Sequence, residues 1–154
     1  MHLSDYLNGT TLSDIFGLNL KSDEVIDLLE RFEMNVVYDF DRLREGTPDQ
    51  YLSASLTEGF QLRFDDRQVL ETIWCYTRVR HGYSIIDANC IGAFVPASLA
   101  EAKGQAIATG QVFSESRSGS GVTSWLRLEG ANMWTHYEFV DDVLSLVTLM
   151  RPWN

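Results

Sequence analysis

The stretch FQLRFDDRQVLETIWCYT, residues 60–77, decides the fold class, because it contains an alternating apolar strand at 60–64, a polar turn and a second apolar strand at 69–77. Alternation with a period of two puts one set of side chains on a core and the other toward solvent. Two upstream segments, 35–40 and 51–56, have the same character and are separated by turn-rich residues. The sequence therefore predicts an antiparallel meander over residues 35–77.

Helical segments precede this meander. Thr11 starts a short helical turn that ends at Gly17, and Ser22 starts a longer helix over about residues 23–33. Apolar residues recur at helical spacing in the longer segment, and two acids in its first turn favour the helix dipole. One apolar face of this helix is expected to cover the sheet.

The second half of the chain repeats the order of helix and strands. Ser98 opens a capping-box sequence, SLAE, and Gly110 marks the end of that helix. The Ser/Gly-rich segment 114–121 predicts a flexible loop. Strands are predicted after it at 123–128, 134–139 and 144–150.

These elements predict an α+β fold in which antiparallel sheet is combined with a few short helices. With 154 residues, the chain fits a single domain over 1–154. The repeated order is typical either of an internal repeat, with halves 11–77 and 97–151, or of a chance likeness between two α+β segments. A true repeat would pack two helix-plus-meander units on one sheet or one core.

The acidic balance of the chain limits its partners. The net charge is −10; residues 1–77 hold 15 acids and 6 bases, a balance of −9, and residues 78–154 hold 7 and 6, a balance of −1. Such a charge repels nucleic acid and anionic membranes. The sequence also has no signal-like start and no run long enough for a membrane span, so we expect a cytoplasmic protein.

No set of residues forms a recognisable catalytic or metal motif. His136 and Glu138 have the H-x-E spacing of zinc deaminases, but the cysteine pair of that motif is missing, and a polar strand face explains them better. Cys75 and Cys90 have no C-x-x-C spacing and are expected to be buried and reduced. We therefore predict a protein that is not an enzyme and binds no metal or cofactor.

The acids beside the predicted turns are the candidate binding residues. Simple solubility is one interpretation, and a docking face for a basic partner is the other, with carboxylates that steer encounter and the aromatics Tyr38, Phe40 and Tyr51 as anchors. On the second interpretation, changing Asp39 and Asp41 to Lys slows association and leaves thermal stability nearly unchanged. The acids concerned are Asp39, Asp41, Glu45, Asp49, Glu58, Asp65 and Asp66.

With these residues in view, the chain resembles the small acidic immunity proteins of bacterial polymorphic-toxin, contact-dependent inhibition and type VI secretion systems. The likeness covers most of the chain and rests on IFGL at 15–18, SDEV at 22–25, FDD at 64–66, HYEF at 136–139 and LVTLM at 146–150. It implies an inhibitor that binds a cognate toxin and covers its active site or substrate channel. A cytosolic nuclease, with a basic cleft, is the kind of toxin that such a resemblance implies.

The alternative is a small-ligand-binding or regulatory domain with a pocket between the two halves. Arg78 and Arg80 lie in the chain's one local basic cluster, which could hold a carboxylate or phosphate. The competing interpretation is that these arginines lie at a strand end and form ion pairs with nearby acids of the protein.

Overall fold

The computed structural model describes residues 1–116 and 122–153. They form the α+β fold that the sequence predicts, with helices α1 (Leu3–Leu7), α2 (Asp23–Arg31) and α3 (Leu99–Ala108) and 3-10 turns at Leu12–Ile15 and Ala88–Cys90. The strands are β1 (Val37–Asp39), β2 (Gln50–Ser55), β3 (Phe60–Phe64), β4 (Leu70–Tyr76), β5 (Phe113–Glu115), β6 (Thr123–Glu129), β7 (Trp134–Val140) and β8 (Val143–Met150).

Within the described ranges, eight strands form one antiparallel sheet in the order β1-β2-β3-β4-β8-β7-β6-β5. Each meander follows the chain, and the last strands of the two meanders pair with each other at the centre. In that central pair Ile73 lies opposite Leu149 and Cys75 opposite Val147. The sheet therefore has two outer strands, β1 and β5.

The period of two predicted for residues 60–77 decides which side chains reach the core. Phe60, Leu62 and Phe64 are fully buried and pack with apolar residues of the helices in one core, while Gln61 and Arg63 point to the other face. Val25, Leu28 and Leu29 of α2 belong to the same core, so the apolar helix face covers the sheet as expected.

The opposite face of the sheet carries aromatic and polar side chains. Arg127 lies 4.4 Å from the ring centre of Trp134 and 5.0 Å from that of Trp153, and its guanidinium also pairs with Glu129. Trp153 is 65% exposed. Tyr76 stacks on Tyr83 at one end of this face. The aromatic side chains of this face thus pack on the sheet and on one another.

Two local predictions are wrong, and the sequence pattern does not reveal one helix. Ser114 and Glu115 belong to β5 rather than to a loop, because the chain pairs with β6 there; residues 117–121 of the predicted loop lie outside the described residues. Ser22 stands at the start of α2, but its hydroxyl donates to the carbonyl of Asn19 instead of capping the helix. Helix α1 was not predicted, since five residues give too short an apolar pattern.

The strand order bears on the internal repeat. α2 precedes the meander β1–β4 and α3 precedes β5–β8, and the two meanders meet through an antiparallel pair of equivalent strands. This is the arrangement that a tandem duplication of one helix-plus-meander unit would give. The single domain and its two halves, 11–77 and 97–151, remain predictions, and the strand order is compatible with both.

Two further features concern the cysteines and the helices. Cys75 and Cys90 are both buried and are not joined in a disulfide. Burial raises the pKa of the Cys75 thiol far above its ordinary value, which keeps the thiol protonated. Among the helices in the described part of the chain, none has the length and apolar character needed to cross a lipid bilayer.

A pair of glycines with the same backbone angle tests the packing of the β2–β3 turn. Gly59 and Gly46 both have φ of +81°, but a Cβ at Gly59 would lie 2.3 Å from the carbonyl oxygen of Ser84, whereas nothing lies within 4 Å at Gly46. Gly46→Ala is expected to cost about 1–2 kcal/mol for the left-handed backbone alone. Gly59→Ala is expected to cost about 3 kcal/mol or more, because the backbone must also move. Urea unfolding of both variants measures the difference; equal losses would contradict this packing.

Candidate partner-binding surface

The β1–β2 hairpin holds most of the predicted binding residues, and Asp41 shapes its loop. The Asp41 carboxylate accepts hydrogen bonds from the backbone amides of Glu45 at 2.9 Å and Gly46 at 2.8 Å. These bonds, the one from Glu45 first, lower the pKa of Asp41. Asp39 accepts a bond from the side chain of Gln50 at 2.8 Å. Both carboxylates therefore stabilise the hairpin itself.

The three predicted aromatic anchors lie side by side. The rings of Tyr38 and Tyr51 stack at 4.9 Å, and the rings of Tyr38 and Phe40 are 5.6 Å apart. The Tyr38 hydroxyl donates to Asp49 at 2.6 Å, and this bond raises the pKa of Tyr38 to about 12. The hairpin thus presents a row of aromatic rings that is held in place in part by a hydrogen bond to a carboxylate.

Exposed apolar side chains continue along the same strand and loop. Their exposure is unusual because they are consecutive or nearly so, and single exposed apolar residues are otherwise ordinary on protein surfaces. The residues and their exposed fractions are Val36 40%, Val37 58%, Tyr38 46%, Phe40 48% and Leu43 77%. We call these five residues, together with Asp39, Asp41, Glu45, Asp49 and Tyr51, the hairpin surface.

Asp65 and Asp66, in the β3–β4 turn, lie at the same end of the sheet as the hairpin surface. A cleft of about 370 Å³ is lined by both of them and by Asp49. Burial alone would raise the pKa of Asp65, but the hydrogen bond from Arg151 and those from backbone amides outweigh it and lower the pKa. Asp66 is exposed. Of this pair, Asp66 is therefore the carboxylate that faces solvent.

Glu58 lies apart from the other predicted carboxylates, so its prediction as a partner-binding residue is wrong. Consecutive turns of a meander lie at opposite ends of the sheet, so the β2–β3 turn that carries Glu58 is remote from the hairpin. The Glu58 carboxylate accepts a bond from the backbone amide of Leu3 at 2.6 Å, and the side chain is only 11% exposed. It serves to fix the N-terminal helix.

Arginines reduce the negative charge around the gathered carboxylates. Asp65 pairs with Arg151 at 2.6 Å, and Arg151 also pairs with Glu71. Arg42 lies over the ring of Phe40 at 5.3 Å. The hairpin end is therefore an apolar surface flanked by charges of both signs, rather than the strongly negative face that the sequence predicts.

A larger share of the negative charge lies in the helical layer. Residues 1–33 hold 7 acids and 2 bases, a balance of −5, which is half of the net charge of the chain. A cleft of about 690 Å³ there is lined by Asp14, Asp23, Glu24 and Asp27 together with apolar residues. The sequence pattern assigns only Asp23 and Glu24 a role, with the helix dipole, and the charge count of the segment is the signal that points to all four acids.

The other predicted candidates take structural positions. His136 and Glu138 lie on one strand face, as predicted; His136 stacks on Trp125 at 5.3 Å, and burial, with help from Arg127, lowers its pKa. Arg80 pairs with Glu138 at 2.9 Å, and Arg78 donates to the carbonyl of Val140. Arg78 and Arg80 therefore bind groups of the protein itself, which is the strand-end interpretation of the basic cluster.

The described residues contain no group of three or more His, Cys, Asp or Glu that could hold a metal ion. No model of a known family, no curated protein and no solved structure matches this chain. The resemblance to immunity proteins therefore stays a prediction, and the local geometry of the surface must carry any functional proposal.

Because the Asp41 carboxylate holds the loop, changing Asp41 to Lys should lower the thermal stability, contrary to the expectation from the sequence. The pH dependence of the loop tests this role of the carboxylate. A carboxyl group whose pKa is lowered by folding stabilises the fold above its ordinary pKa, and this contribution is lost as the pH falls through the lowered value. The Gly46 amide proton is expected to follow that titration by NMR. Asp41→Asn should abolish the titration; a Gly46 amide that titrates near the ordinary aspartate value, about 3.9, would contradict the role of Asp41.

Proposed function

We propose that this chain is an immunity protein, a cytoplasmic inhibitor that binds a cognate bacterial toxin through the hairpin surface. The observation that carries the proposal is the run of exposed apolar side chains on an outer strand, flanked by carboxylates. These side chains alternate between the two faces of the strand, so both faces of this edge offer apolar surface to a partner. Exposed apolar groups with a polar rim are typical of protein interaction sites.

The apolar and acidic parts of the surface have different tasks. Aromatic side chains that are held rigid lose little entropy on binding and are common hot spots, and Tyr38 is held by its stack on Tyr51 and its bond to Asp49. Carboxylates contribute more to the rate of encounter than to final affinity. The net charge of −10 adds a long-range attraction for a cationic partner.

A toxin with a basic active-site cleft, such as a nuclease, fits these properties. Inhibition requires only that the bound chain covers the cleft, so no catalytic residue of the inhibitor takes part. The apolar side chains, above all Leu43 and Phe40, would lose their exposed surface in the complex, which supplies the binding free energy that charge alone does not.

Co-expression tests the proposal directly. Each protein encoded beside this chain's gene is produced with and without the chain, and cell survival and co-purification are measured; one of these proteins is expected to be the toxin. We expect survival only when the chain is present, and a stable complex of the two proteins. If neither neighbouring gene product binds the chain or is neutralised by it, the proposal is wrong.

Charge reversal on the hairpin surface, or in the β3–β4 turn at the same end of the sheet, should slow association while leaving stability intact. Glu45 and Asp66 are the suitable positions, because both are exposed, whereas Asp39 and Asp41 bond within the hairpin. Glu45→Lys and Asp66→Lys are each expected to slow association with the toxin domain by about three- to tenfold at low salt, with a weaker salt dependence. Stopped-flow measurements at low and high salt give both quantities.

Glu101→Lys is the matched control, because Glu101 is exposed on α3, which packs beside β6 in the other half of the sheet, and its reversal changes the net charge by the same amount. The association rate of this variant should stay within about twofold of that of the parent chain. Equal slowing by all three variants would mean that net charge, and not the hairpin surface, guides the partner.

A further inference from the structure

We propose that the partner binds by strand addition: an extended segment of the partner pairs with the outer edge of β1 and continues the sheet. This inference rests on the proposed function for the identity of the partner, but not for the binding mode. The occupant is a basic extended segment of another protein.

β1 is one of the two outer strands, so the backbone N–H and C=O groups of alternate residues face away from β2. Such an edge is a template for another strand unless the protein blocks it by charge, proline, a bulge or a covering element. β1 is short and carries one charge, on Asp39, which disfavours an acidic or apolar added strand but favours a basic one. It contains neither proline nor lysine, and its register with β2 is regular. The edge therefore remains able to pair.

The other outer strand is treated differently. α3 packs beside β6, and Lys103 of α3 reaches the edge to pair with Glu115 of β5 at 2.9 Å. A lysine at a sheet edge opposes strand addition, because its charge would have to lose its water. The two halves have the same order of elements, so this difference singles out β1 as the binding edge.

The side chains of β1 define the partner segment. Val37 and Asp39 lie on one face of the sheet, and Tyr38 lies on the other. An added strand would place a residue beside each of them, so the fit is best with an apolar residue beside Val37, a basic one beside Asp39 and an apolar or aromatic one beside Tyr38. A second copy of this chain fits less well, since each copy carries a net charge of −10 and its own hairpin carboxylates.

A synthetic peptide tests strand addition without the toxin. The probe is acetyl-KVVFKVK-amide, which presents the required pattern in either strand direction, and its matched control has the five central amides N-methylated. NMR measures the affinity and the amide protons affected. We expect changes confined to residues 36–40 with new exchange protection there, and binding of the methylated peptide weakened by about tenfold or more. Equal binding of the two peptides would mean that charge attraction alone holds the peptide, and this result would overturn the inference.

A pair of valine substitutions locates the edge. Val37→Lys should weaken binding of the unmethylated peptide by about tenfold, since it places a charge beside the added strand, whereas Val112→Lys, next to β5, should have no effect. Both valines are exposed, so neither change should lower stability. A loss with Val112→Lys alone would move the site to the other edge. A dimer in sedimentation that Val37→Lys dissociates would make a second copy the occupant and would also overturn the inference.

The peptide and the toxin experiments can fail separately. Neutralisation of a toxin without strand addition by the peptide would leave the proposed function standing and remove the binding mode. Strand addition by the peptide without any toxin partner would leave the edge as a binding site and remove the immunity role.

Discussion

The antiparallel pairing of β4 with β8 is the contact on which the rest of the structure depends. It joins two separate meanders into one sheet, and the side chains that it brings together on the core face, among them Ile73 and Val147, are fully buried. Burying such side chains contributes about 1.5–3 kcal/mol each, so this central seam is a large part of the stability. Because the last strands of the two meanders meet, the first strand of each becomes an outer edge.

The position of β1 at an outer edge follows from that constraint, and the local chemistry of the hairpin then determines what the edge can do. Asp41 and Asp49 are used to shape the loop and to hold Tyr38, so part of the acidic charge is structural. The apolar side chains that remain exposed are the unusual feature. Charge around the hairpin selects a class of partner, but burial of these apolar groups supplies the affinity.

The sequence predicts the elements better than it predicts the surface. The bounds of β3 are those of the predicted strand, and β4, α2 and α3 lie within about two residues of the predictions, because a strong period marks each of them. The sequence pattern does not reveal β5, since a three-residue edge strand such as Phe113–Glu115 acquires its structure from its pairing with β6 rather than from its own pattern. The sequence places carboxylates in turns correctly, but the ends of the sheet at which those turns lie depend on strand order. For this reason Glu58 was grouped with Asp65, although the meander separates them.

The hairpin surface, at the outer edge of the sheet, is the proposed binding site of the partner. Hydrogen–deuterium exchange of the chain, alone and in complex with the toxin that it neutralises, locates that site. Binding at the hairpin surface gives strong new protection over residues 36–49, with little change in α2 and α3. Protection concentrated instead in the acidic cleft of the helical layer, or on the aromatic face around Trp134, would contradict it.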